Sequence, residues 1–210
     1  MKKFELTTEF ITNELGKKLF RIKALVEFGS VKAGELGGYV EKEENISQDG
    51  NAWVSDNARV SGHAWVSDNA RVSDNARVSG HAWVSDNARV SGHARVSGHA
   101  LVFGDAKVSG DAKVSDNAKV SGHAWVSDNA RVSDNADYAL VQGFGIKFRC
   151  TTFYRGKNKK IMVNCGCFHG DLEEFRKQVK ETRSGKIAKE YLMIADLMKY
   201  HFASEDSSDE

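Results

Sequence analysis

From Asn51 to Asp134 the chain alternates apolar and polar positions with a fixed punctuation. Valine falls at 54 and at every sixth residue thereafter to Val132, and alanine stands two residues before each of them, from Ala52 to Ala130. Residues two apart on a strand share a face, so each Ala/Val pair points one way while the letter between them and the serine after the valine point the other. After the serine come Gly or Asp and then Asn, His or Asp, which is turn chemistry. A six-residue period excludes amphipathic helices, whose apolar stripe returns every 3.6 residues, and describes a solenoid of short strands.

The pattern resembles the hexapeptide repeat of left-handed parallel β-helices, in which three hexads close one triangular coil. The resemblance covers residues 51–134, fourteen consecutive hexads, and implies an aliphatic core with a small residue beside each corner. The flanking stretches LGGYVEKEENISQDGNAWV and VNCGCFHGDLEEF resemble proteins of bacteriophages and prophages that carry hexapeptide-repeat, polymer-forming or acyltransferase labels. The expected fold is mainly β: a left-handed parallel β-helix of about five or more coils, with an N-terminal β cap and a small C-terminal α+β module. The coils stand on the order of 22 Å tall at ~4.8 Å per strand.

Open coil ends expose unpaired strand edges, so the flanking segments are expected to cap them. The expected organisation is an N-terminal β cap over 1–36, the β-helix over 37–140, a C-terminal β-hairpin with two helices over 141–202, and a disordered acidic tail over 203–210. Phe20, Ile22, Ala24 and Val26 alternate as in a strand, and Val40 and Ile46 already stand six apart, which starts the first coil near Gly37. Downstream, IKFRCTTFYRGKNKKIMVNCGCFHG reads as two strands joined by GKNKK, with Cys165 and Cys167 on the face of Ile161 and Val163. Asp171 with Glu174 forms a capping box ahead of Leu172, Phe175 and Val179; a second helix spans Ile187 to Tyr200.

Three hexads per coil put residues 18 apart on one face. One face then carries Arg59, Arg77, Arg95, Lys113 and Arg131, a basic column; the second carries Trp65, Trp83, Leu101 and Lys119, with Phe103 where other hexads have serine; the third carries Trp53, Arg71, Arg89, Lys107 and Trp125. Stacked cations suit an anionic ligand of the nucleotide class or an acidic host protein. The alternative is a merely solvated face, which the turn aspartates favour by diluting the column; nucleic acid is not expected. The contiguous aromatics Trp65, Trp83, Leu101 and Phe103 mark an interface, and proteins with this repeat commonly form trimers, so a homo-oligomer is expected, trimer first.

Composition sharpens this picture in two places. There is no proline among 210 residues and there are 19 glycines, as suits a backbone spent on hydrogen-bond ladders and tight turns. The net charge of +1 points to no particular partner. No apolar run is long enough for a membrane span, and the charged start lacks the apolar stretch of a signal peptide, so a soluble protein of the cytoplasm is expected, the host cytoplasm if phage-encoded.

Candidate chemistry is sparse. His63, His81 and His99 share one edge, and hexapeptide-repeat acyltransferases use a histidine as general base, so acetyl transfer from acetyl-CoA is the enzymatic alternative. The same slot is filled by Asn57, Asp105 and Asn117, as a turn position would be. No loop interrupts the hexads to build a substrate pocket. No catalytic residue and no cofactor is therefore assigned. Whether Cys150, Cys165, Cys167 and His169 hold a metal is left open, CxCxH being a weak ligand spacing. The leading expectation is a non-enzymatic, phage-type oligomeric scaffold or binding protein, for instance one that counters bacterial defence. A structural virion or filament component is the further alternative.

Overall fold

A computed structural model describes residues 2–145, 149–156 and 159–203. Two strands open the chain, β1 (Phe4–Thr12) and β2 (Lys18–Ala24), followed by β3 (Leu36–Val40). Then come fourteen two-residue strands, β4 to β17, one per hexad from Trp53–Val54 to Arg131–Val132. Each is too short to hold alone. Each pairs in parallel with the strand eighteen residues on, Trp53 with Arg71 and Arg59 with Arg77 among them, until the last three strands end the ladders, so the hexads stack as a triangular prism of nearly five turns.

The core is the repeated letters. All fourteen Ala/Val pairs are buried and form one continuous cluster along the axis. At twelve of the corners the alanine N–H donates to the carbonyl of the serine three residues before it, as Ala58 does to Ser55 at 3.1 Å. The first residue inside that turn takes positive φ, including Asp56, Asp68, Asp74, Asp86, Asp116 and Asp128 at 53° to 60°. Such values cost an ordinary side chain strain, which is why the slot is restricted to Asp and Gly. The aspartates have a further task. Asp74 accepts from the backbone N–H of Gly92 at 2.8 Å, and Asp86 does so from Gly104 at 2.9 Å, so a corner carboxylate ties one coil to the next.

Both ends of the prism are closed by non-repeating residues. Strand β3 pairs in parallel with Arg59–Val60 and antiparallel with β2, so the basic face continues into the N-terminal strands as one eight-stranded sheet. Ile46 bridges Val66, and with Val40 it begins the core ahead of the first full hexad. Edge carbonyls there receive side-chain donors. The buried Lys3 ammonium reaches the carbonyls of Asp49, Gly50 and Ala52 at 3.1 to 3.3 Å, and the Asn45 amide reaches those of Gly62 and Ala64. Trp53, expected on an outer face, is instead 2 % exposed, because Phe4 and Phe28 pack edge-on against it over the first coil. The alternation expected around Phe20 is also broken. A register irregularity between Arg21 and Lys23 turns Leu19, Ile22 and Ala24 inward.

The C-terminal end is capped by a four-stranded antiparallel sheet instead of a hairpin: β18 (Tyr138–Phe144), β19 (Arg149–Arg155), β20 (Ile161–Cys165) and β21 (Phe168–Asp171), in that order. Strand β18 starts directly after a short helical turn that succeeds the last hexad, and β21 returns through the turn at Gly166 and Cys167. Helices α1 (Leu172–Thr182) and α2 (Gly185–His201) cover one face of it, α1 opening on the reciprocal Asp171/Glu174 capping box. From the other face Tyr154 closes the prism: it is fully buried against the last coil, its hydroxyl 3.1 Å from Ser127 Oγ. Burial pushes that phenol up to about 12. The free edge at Trp125 is satisfied by side chains of the sheet, its N–H donating to Thr152 Oγ1 at 2.9 Å and its carbonyl accepting from Asn164 Nδ2 at 2.8 Å. The acidic stretch expected from 203 onward lies outside the described residues beyond Ala203, as do parts of the expected strand start (146–148) and of the GKNKK turn (157–158).

Two outcomes are expected. Tyr154→Ala opens the last coil to water and costs about 3–5 kcal/mol in denaturant unfolding, whereas Tyr154→Phe, which removes one hydroxyl, costs about 1 kcal/mol. Burial lowers the Lys3 ammonium to about 8 from an ordinary 10.5, against the raising influence of Asp49. The native state therefore sheds that proton before the unfolded chain does, and its contribution to stability rises as pH climbs from about 8 to 10.5. Melting curves of wild type and Lys3→Met across that interval should differ in slope, with the rise absent in the variant.

Candidate functional surface

Since Ala and Val face inward, the letter between them is what each strand shows to the outside. Its pairing partners are set by the backbone ladder: Arg59, Arg77, Arg95, Lys113 and Arg131 are consecutive neighbours on one face, preceded by Tyr39. Beside this row runs a groove of about 480 Å³, bounded on its other side by the corner residues Asn57, Asn75, His93, Asp111 and Asn129. Glu14, in the β1–β2 turn, reaches Arg77 at 2.5 Å. The guanidinium holds the Glu14 carboxyl below the usual carboxylate range, with Arg95 and Arg59 adding to the effect. Among the described residues no other member of the row has a carboxylate at ion-pair distance. Of the corner aspartates Asp111 stands on the groove wall, whereas Asp56 and Asp74 sit one residue outside it and turn to backbone N–H groups and, for Asp56, the Ser55 hydroxyl.

The second face stacks Trp65 on Trp83, Trp83 on Leu101 and Leu101 on Lys119. Trp83 is 56 % exposed; Trp65, Leu101 and Phe103 are half-buried. The third face, with Trp53 inside the cap, shows Arg71, Arg89, Lys107 and Trp125 in sequence.

On one corner His63, His81 and His99 stack as nearly parallel rings, 4.8 and 4.9 Å between centroids. Stacked imidazoles aim their nitrogens outward side by side and cannot converge on one ion or one substrate atom. The asparagine corner behaves alike: Asn51 donates to Asn69, Asn69 to Asn87 and Asn87 to Asp105, a ladder that reads as structure.

The strand ends at Cys165, so Cys167 falls in the next turn and is exposed, not on the buried face with Ile161 and Val163. His169 has both ring nitrogens engaged, Nδ1 with Asn164 and Nε2 with Asp128, each at 2.5 Å. Among the described residues no group of three or more His, Cys, Asp or Glu is arranged to hold a metal. Burial, with Cys165 beside it, pushes the Cys150 thiol up and away from the reactive thiolate.

The YdcK beta solenoid repeat model matches residues 52–68, 70–86 and 82–98. The coils are β-solenoid repeats. Those matches lie in the first three turns, and the later hexads continue the same solenoid with the same inward letters. No curated protein matches the chain. No helix among the described residues is long and apolar enough to cross a membrane.

Two features of this surface escape sequence reasoning: the reach of Glu14 to Arg77, 63 residues apart, and a cleft where the C-terminal sheet meets the third face. Neither can be drawn from periodicity, because each depends on where a non-repeating segment docks.

Five like charges in one row with one ion-paired member should make the solenoid sensitive to ionic strength. Arg95→Gln is expected to leave stability in low salt unchanged or raise it by a few tenths of a kcal/mol, an increment that vanishes above roughly 0.5 M salt. Urea unfolding at two salt concentrations reads it.

Proposed function

We propose that this chain is a non-enzymatic, oligomeric binding scaffold whose basic groove takes a small ligand bearing several negative charges. The observation that carries the reading is the row Arg59–Arg77–Arg95–Lys113–Arg131. Its cations are held in register by backbone pairing and stand beside an open groove, and among the described residues Glu14 is the one carboxylate ion-paired to them. Cations fixed on a rigid surface focus potential on whatever enters, with little reorganisation on binding. Trp65, Trp83, Leu101 and Phe103 form the self-association face of the same reading, with a trimer as the first expectation.

The histidine geometry speaks against acyl transfer. A general base needs a substrate held within hydrogen-bond reach, and His63, His81 and His99 line an exposed corner of uninterrupted coils. On the phage resemblance of the flanking stretches, the ligand would be a host metabolite or signal, and its capture would deny it to the host.

The test combines two measurements. Native mass spectrometry of wild type should give a closed oligomer, and Trp83→Glu should give monomers of unchanged melting temperature. Calorimetry with inorganic tripolyphosphate in low salt should show binding that weakens at least tenfold in Arg77→Glu/Arg95→Glu and falls with added salt. A wild type that is monomeric, or that ignores tripolyphosphate, contradicts the corresponding half of the reading. Binding of acetyl-CoA that is lost in His81→Asn would restore the enzymatic alternative.

A further inference from the structure

The third face ends in a feature that the basic row lacks. Lys107 pairs with Arg89 on one side and with Trp125 on the other, so two cations and an indole succeed one another at strand spacing. The C-terminal sheet rises beside them, and Arg149, at the start of β19, faces them across a cleft of about 700 Å³.

Trp125 is fixed from both ends. Its backbone N–H and carbonyl are held by Thr152 and Asn164, and its indole N–H donates to Ser109 Oγ at 3.2 Å, which lays the ring down along the face toward the neighbouring coil. The side chain is nevertheless 40 % exposed. An indole that lines the cleft, partly exposed and with its polar atom already bonded, offers a stacking platform. On the wall, Asp105 is the one carboxylate; it accepts from the Asn87 amide at 3.2 Å and faces His123 at 3.6 Å. Three cations against one carboxylate leave the cleft positive.

We propose that this cleft is a nucleotide site. The base stacks on Trp125 and the phosphate sits among Lys107, Arg89 and Arg149. The cations lie one and two strand spacings from the indole, roughly 5 and 10 Å, which is the order of the reach from a nucleobase across its sugar to its phosphate. The basic groove on the first face has cations but no indole, phenol or phenyl ring among its lining residues, so it lacks the stacking platform that Trp125 supplies here. The two sites are independent: either can fail without the other.

Adenosine monophosphate, adenosine and inorganic phosphate, titrated separately and monitored by calorimetry and tryptophan fluorescence, test the site. The monophosphate should bind more tightly than either half and quench fluorescence. Trp125→Leu, which places at this strand position the residue that Leu101 supplies in another hexad, should weaken binding roughly 5- to 100-fold and abolish the quench. Arg89→Gln/Lys107→Gln should reduce the affinity for the monophosphate to that for adenosine, and Arg77→Glu/Arg95→Glu should weaken it far less. Melting temperatures confirm that each variant folds. The proposal is overturned if wild type does not bind the monophosphate, if Trp125→Leu binds it as wild type does, or if the first-face variant is the one that loses it.

Discussion

Each coil of this solenoid gives its backbone hydrogen bonds to the coil eighteen residues away, and what permits that ladder is the size of the two side chains turned inward. Alanine and valine fill the triangular interior without forcing the strands apart, and all fourteen pairs are buried in one cluster. Proline would remove a ladder donor, and the chain has none. The turn residues answer to the same constraint. A corner after two extended residues needs positive φ, and Asp at that position adds a carboxylate bond to the next coil's N–H.

A ladder of this kind has no internal reason to stop, so its ends carry much of the sequence that is not repeated. At the first coil, Lys3 and Asn45 supply donors to edge carbonyls while Phe4, Phe28 and Trp53 close the apolar interior. At the last, Thr152 and Asn164 take the edge groups of Trp125, and Tyr154 closes the interior. Both caps combine an aromatic plug with polar side chains that replace the missing strand. The exposed edge that drives strand proteins to polymerise is thereby removed at these positions.

What was legible in the sequence is what the repeat enforces. Valine spacing fixes the coil, and eighteen-residue spacing sorts the outward letters into the three columns that the backbone pairing reproduces. The capping box at Asp171 and the buried stripe Leu172, Phe175 and Val179 were legible for a similar reason, since they are local signals. What could not be read depends on docking. Trp53 has the same letter-position as Trp83, and only the arrival of Phe4 and Phe28 from outside the repeat buries one and not the other. The letters Ser133-Asp134-Asn135-Ala136 ahead of β18 are those of one more hexad turn and do not set the strand apart from the coil, and β21 is four residues long, so a hairpin stood where four strands form. The cleft between Trp125 and Arg149 exists only because the sheet settles on that face.

Core and surface are therefore separable: the inward letters hold the fold, and the outward letters form columns whose order depends on register alone. Two deletions test this together. Removing residues 73–90 takes out one full turn and leaves Arg59 next to Arg95, Lys113 and Arg131 on one face. Removing residues 85–90 takes out one hexad, keeps every remaining Ala/Val pair in the core, and interrupts the basic row with Leu101 after Arg77. Both proteins should keep the circular dichroism of wild type and unfold in a single cooperative transition in urea. Loss of that transition in either one would contradict the separation of core from surface.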